Sequence, residues 1–141
     1  MPPKKKKQES DEVLERFSAR FTFDNDSMYE GEFIKSAEGP IRSGHGKFIC
    51  PLFEYNGEWN NDVIEGVGEV SFHTGAKYNG QFVNNKFHGD GEYVWPASDE
   101  HRLCIRFVGQ FSYNEMLTGS FYDQEGFIYQ GKVDEMLLTL E

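Results

Sequence analysis

The chain has 141 residues, a net charge of −10, 16% aromatic residues and 15 glycines. That length suits one domain, and so high an aromatic content disfavours a disordered polar chain. No apolar run reaches the ~18 residues that a membrane helix needs, and two distant cysteines, Cys50 and Cys104, make neither a disulfide framework nor a zinc site and fit a reducing compartment.

In chain order, residues 1–10 carry Lys4, Lys5, Lys6 and Lys7 in a row and no apolar core. They read as a basic tail, free in solvent or seated on an acidic partner, and not as a secretory leader. Without those four lysines the rest of the chain carries −14, which repels nucleic acid and opposes binding to anionic lipid. Residues 11–16 follow Ser10, an N-cap residue, and open with acids, so a short helix is expected there.

From Phe17 the chain repeats. Tyr29-Glu30-Gly31-Glu32-Phe33, Tyr55-Asn56-Gly57-Glu58-Trp59, Tyr78-Asn79-Gly80-Gln81-Phe82, Phe107-Val108-Gly109-Gln110-Phe111 and Tyr129-Gln130-Gly131-Lys132-Val133 share one pattern of ring, any residue, glycine, any residue and large apolar residue. Their glycines are 26, 23, 29 and 22 residues apart. Between them lies a Gly-x-Gly signature followed by a ring or a β-branched residue: Gly44-His45-Gly46, Gly66-Val67-Gly68 and Gly89-Asp90-Gly91. A fourth copy keeps Gly119 but has Leu117 in the first glycine's place. Internal periodicity of this kind marks a repeat architecture. The array starts with half a unit at Phe17, with Ala19 in a glycine slot, and the extra residues within 34–43 and 96–105 are expected to be lengthened loops.

Side chains alternate across a strand, so Tyr78, Gly80 and Phe82 share one face and Asn79 and Gln81 the other. In the Gly-x-Gly strands the same count puts both glycines with Tyr93 and Trp95. The face is aromatic plus glycine; its reverse is polar and acidic, a solvated surface or a seat for a basic helix. A strand glycine is unfavourable alone, but a ring from the adjacent strand can lie over it and bury roughly 150–250 Å². Turns at Asn60-Asn61-Asp62 and Asn84-Asn85-Lys86 use asparagine's tolerance of left-handed backbone, and His73-Thr74-Gly75 and Asp123-Gln124-Glu125-Gly126 join one unit to the next. Connections this short make neighbouring strands antiparallel. The expected fold is all-β: an elongated, twisted antiparallel meander of roughly ten strands over residues 17–133. Residues 134–141, with Met136, Leu137, Leu138 and Leu140, close the array or hook a partner.

The sequence offers no catalytic or metal constellation. The Gly-x-Gly pairs are too short for a dinucleotide fingerprint, the four histidines lack ligand spacing, with His45 and His88 read as turn-packing residues, and no cofactor is expected.

The run Tyr78-Asn79-Gly80-Gln81-Phe82-Val83-Asn84-Asn85-Lys86-Phe87-His88-Gly89-Asp90-Gly91 resembles the MORN repeat throughout. Residues 55–68 match with Glu65 in the histidine slot, residues 29–46 match with an insertion, and the later copies are looser. The resemblance covers most of the chain. It implies stacked hairpins whose structural glycines are Gly31, Gly57, Gly66, Gly68, Gly80, Gly89, Gly91, Gly109, Gly119 and Gly131, and a non-enzymatic scaffold. With no kinase or methyltransferase domain expected after the array, it also implies a small stand-alone protein of a ciliary or flagellar axonemal complex such as a radial spoke. A partner segment, helical or extended, or a second copy would lie along the ring face on Tyr55, Trp59, Tyr78, Phe82, Tyr93, Trp95, Phe107 and Phe111. The alternative is a peripheral membrane adaptor that binds phosphoinositides through the lysine tail.

Overall fold

The computed structural model describes residues 14–97 and 104–135. Ten strands form one sheet in strict sequence order, every neighbour antiparallel: β1 (Phe17–Thr22), β2 (Met28–Ser36), β3 (Gly39–Ile49), β4 (Phe53–Asn60), β5 (Val63–Phe72), β6 (Lys77–Val83), β7 (Lys86–Val94), β8 (Arg106–Ser112), β9 (Glu115–Asp123) and β10 (Gly126–Lys132). The expected meander is the observed one.

The turns follow from residue chemistry. Asn61 and Asp62 (φ 51° and 66°), Asn84 and Asn85 (51° and 66°) and Tyr113 and Asn114 (45° and 74°) occupy the left-handed region in pairs, as two-residue hairpin turns that match strand twist require. Tyr113 is the unexpected member; its ring packs on His88, 4.3 Å between centroids, and the His88 Nδ1 accepts its backbone N–H. The second residue of each turn also reaches back to an earlier strand. The Oδ1 atoms of Asp62, Asn85 and Asn114 accept the backbone N–H groups of Arg42, Ile64 and Phe87 at 2.8, 2.8 and 3.0 Å. Their own N–H groups donate to the carbonyls of the same three residues. Each turn thereby clasps the preceding unit, satisfying backbone groups beside a break in the ladder.

Three expectations need correction. Residues 34–43 do not form a lengthened loop: Ile34 pairs with Ile41 and Lys35 with Pro40, because apolar residues and a short turn let the strands run on. Residues 14–16 are not helical; they lead directly into β1, while 11–13 lie outside the described residues. Nor do both glycines of Gly-x-Gly share the ring face. Gly57 pairs with Gly68 but Trp59 with Ile64, so β5 uses twice the residues of β4 over that stretch, and the excess is a bulge at Gly66 with φ +99°. Gly44 and Gly89 repeat it (φ +101° and +95°). The positive φ turns the first glycine towards the polar face, where an added Cβ would meet Glu32, Glu58 or Gln81 in turn. Of the 96–105 insertion, 98–103 lie outside the described residues; its base is closed by the Trp95 N–H donating to the Ile105 carbonyl at 2.9 Å. A helical turn begins at 133–135, and the remainder of the expected cap or hook, like the lysine tail, lies outside the described residues.

Candidate functional site

A row of small residues crosses the whole sheet. Ala19, Gly31, Gly46, Gly57, Gly68, Gly80, Gly91, Gly109, Gly119 and Gly131 are paired in succession, one from each strand. Beside it runs a ring row from Phe21 to Tyr129, aromatic in every strand but β5, where Val70 stands. The glycine row exists because the rings lie on it. In β2, β4, β6 and β8 the ring (Tyr29, Tyr55, Tyr78 or Phe107) extends along its own strand over the glycine two residues on and over that glycine's partner in the next strand. A Cβ on Gly46, Gly68 or Gly91 would have as its three nearest neighbours only atoms of Tyr29, Tyr55 or Tyr78. The hydroxyl then donates to the carbonyl three residues on: Tyr29 to Glu32, Tyr55 to Glu58 (2.8 Å), Tyr78 to Gln81 (2.7 Å) and Tyr129 to Lys132 (3.0 Å).

Tyr55 and Tyr78 are flanked edge-on from both sides. Trp59 and Phe82 meet the Tyr55 ring at 85° and 83°, with centroids 5.4 and 5.3 Å away. Phe82 and Phe111 meet Tyr78 at 81° and 87°, with centroids at 5.0 and 5.1 Å. This is the favourable edge-to-face arrangement. Tyr29, Tyr55, Tyr78 and Phe107 are consequently 0% exposed. Burial pushes the phenol pKa of Tyr29 and Tyr78 up to about 12 and raises that of Tyr55 further.

The bulges have their own supports. Glu32 Oε1 accepts the N–H of His45 (2.8 Å), Glu58 Oε2 that of Val67 (2.5 Å) and Gln81 Oε1 that of Asp90 (2.8 Å). In the fourth copy Leu117 replaces the glycine. The bulge there absorbs one residue, between the Gln110–Thr118 and Phe111–Met116 pairs, and Gln110 donates to Asp90 instead.

The residues expected to meet a partner are thus unequal. Tyr55, Trp59, Tyr78, Phe82, Phe107 and Phe111 are at most 5% exposed, packed by rings of their own sheet, and Tyr93 and Trp95 are half-buried. The surface of the face is made instead by half-buried rings that include Phe48, Phe53, Phe72 and Phe87, packed on that core. These rings leave shallow hollows: about 370 Å³ between Phe21, Phe33 and Phe48; about 310 Å³ between Phe53, Phe72 and Phe87; and about 360 Å³ between Leu52, Phe72 and Tyr93. No second layer covers this face among the described residues. The reverse face carries the paired row Glu30, Lys47, Asn56, Glu69, Asn79 and Glu92, with exposed ion pairs Arg20–Glu30 (3.0 Å) and Arg106–Glu92 (3.7 Å) of the kind that adds little stability.

The family model for the MORN repeat matches residues 55–77 and 78–100. These are the two consecutive cassettes in which Tyr55 and Tyr78 cover Gly68 and Gly91.

Proposed function

We propose that this MORN-repeat protein is a non-catalytic scaffold whose ring face seats an apolar segment of a partner protein, and that it does so in an axonemal complex of a cilium or flagellum, such as a radial spoke. MORN repeats are in general protein- or membrane-binding scaffold modules. The observation that carries the docking reading is the line of hollows between half-buried Phe48, Phe53, Phe72 and Phe87 on a face that no second layer covers among the described residues. Apolar grooves of this sort accept helices or extended segments through regularly spaced anchors. The axonemal setting rests on the resemblance to the MORN repeat alone. The buried tyrosines serve as the floor, and the partner's side chains enter between the outer phenylalanines.

A photo-cross-linking residue in place of Phe72 on the ring face, compared with one in place of Glu69 on the reverse, tests this in ciliated cells. Cross-links to an axonemal protein from position 72 and not from 69 are expected. Equal labelling from both positions, or partners confined to membranes and lost on removing Lys4–Lys7, would refute it.

A further inference from the structure

One position breaks the internal symmetry of the ring face. The residues opposite Trp59, Phe82 and Phe111 are Ile64, Phe87 and Met116, all apolar. The residue opposite Phe33 is Arg42. The clasping residue changes with it: where later units use Asn85 and Asn114, the first uses Asp62. An asparagine would make the same backbone clasp, so the acid has a different task. Its Oδ1 accepts from Arg42 Nε at 3.1 Å, and its backbone carbonyl accepts from Nη2 at 3.3 Å.

These bonds engage the Nε–Nη2 edge of the guanidinium, while the ring of Trp59 lies 4.3 Å from its central carbon. Nη1, the outer nitrogen of the end-on edge, makes no hydrogen bond among the described residues. The Arg42 side chain is 28% exposed and lines the hollow of about 370 Å³ with Phe21, Phe23, Phe33 and Phe48. A guanidinium already fixed on two sides loses little freedom on binding, and its remaining edge matches a carboxylate in bidentate geometry. The negative charge of Asp62 on the other edge disfavours a dianion beside it, so the hollow suits a singly charged carboxylate better than a phosphate. The pair stays partly exposed, 28% for Arg42 and 49% for Asp62, where the other units place half-buried Ile64, Phe87 and Met116, so by itself it adds little stability.

We propose that this hollow takes an acidic side chain of the docked partner, aspartate or glutamate, end-on to Arg42, with the flanking apolar residues of that segment against Phe21, Phe33 and Phe48. Arg42 then sets the register of the partner along the ring face. The inference rests on the docking reading above and names the partner's chemistry at one point of the same face.

The test uses the full chain and two terminally blocked pentapeptides with leucines on either side of a central glutamate or glutamine. A third peptide carries the glutamine and a free C-terminal carboxylate. Binding is followed by the NMR shifts of Arg42 Nε–H and Trp59 Nε1–H. The glutamate peptide is expected to bind at least about tenfold more tightly than the glutamine peptide, the scale of a charge-assisted bidentate pair. The double variant R42I/D62N copies the arrangement of Ile64 and Asn85 in the second unit and should fold as that unit does; in it the preference should disappear. Equal binding of both blocked peptides, a preference that survives in R42I/D62N, tighter binding of the free-carboxylate peptide, or no shift from any of them would overturn the proposal. Cross-linking from position 72 decides the docking reading separately.

Discussion

Substituting Gly91 by alanine isolates the relation between ring and glycine. Gly91 does not sit at positive φ, so alanine meets no backbone strain there. The added Cβ, however, would lie 2.6 Å from Cε2 and Cζ of Tyr78. The ring must lift, which breaks its hydroxyl bond to Gln81 and its stacking on Phe87, now 3.9 Å between centroids. Overpacking of a close-packed site costs about 1–3 kcal/mol and the lost hydrogen bond about 0.5–1.5 kcal/mol, so Gly91→Ala should cost roughly 2–4 kcal/mol. Urea denaturation with an unchanged m-value measures this. With Tyr78 first replaced by leucine, the same Gly91→Ala change should be within about 0.5 kcal/mol of neutral, since alanine is the better strand residue once space exists. The coupling energy of the cycle should thus approach the whole cost of the single change. If Gly91→Ala costs as much without the tyrosine as with it, the ring is not the reason for the glycine.

Two further outcomes follow from the same geometry. Glu58→Ala should lose about 1 kcal/mol by leaving the Val67 N–H of the bulge without its acceptor, whereas Glu58→Gln should be nearly neutral, because Gln81 already does this work with an amide in the next unit; chemical denaturation of both variants distinguishes them. Alkaline pH should destabilise the fold. With Tyr29 and Tyr78 near 12 in the folded chain and near 10 when unfolded, the unfolded chain loses protons first. The stability these phenols supply is therefore complete below about pH 10 and disappears as pH rises towards 12, by about 2–3 kcal/mol for each tyrosine. An unfolding midpoint unchanged between about pH 9 and pH 11 would contradict this.

The meander was legible because each unit states its geometry locally. Tyr78-Asn79-Gly80 alternates faces without help from distant residues, and Asn84-Asn85 names its turn by left-handed backbone. The bulge was not legible from alternation alone, because Gly66, Gly89 and Gly44 satisfy a period of two on paper while their positive φ breaks it in space. A signal was present: Glu32, Glu58, Gln81 and Gln110 occupy one repeat position where any polar residue would keep alternation, and three of the four cap a bulge. Of the rings expected to meet a partner, Tyr55, Trp59, Tyr78, Phe82, Phe107 and Phe111 lie in the buried layer of the ring face. A hydrophobic alternation cannot tell a ring laid flat on glycine from a ring standing above it; that distinction comes from cross-strand register, which brings Phe48, Phe53 and Phe72 to the surface.

Strand order has a mechanical consequence. In the hydrogen-bond ladder every strand from β2 to β9 pairs only with its two sequence neighbours, and β1 and β10 lie at opposite edges. Tension applied between those edges loads one pair of hydrogen bonds at a time and never shears two long strands together. Such a ribbon should yield hairpin by hairpin, at low force and in steps of one cassette, and re-zip in the same order when slackened.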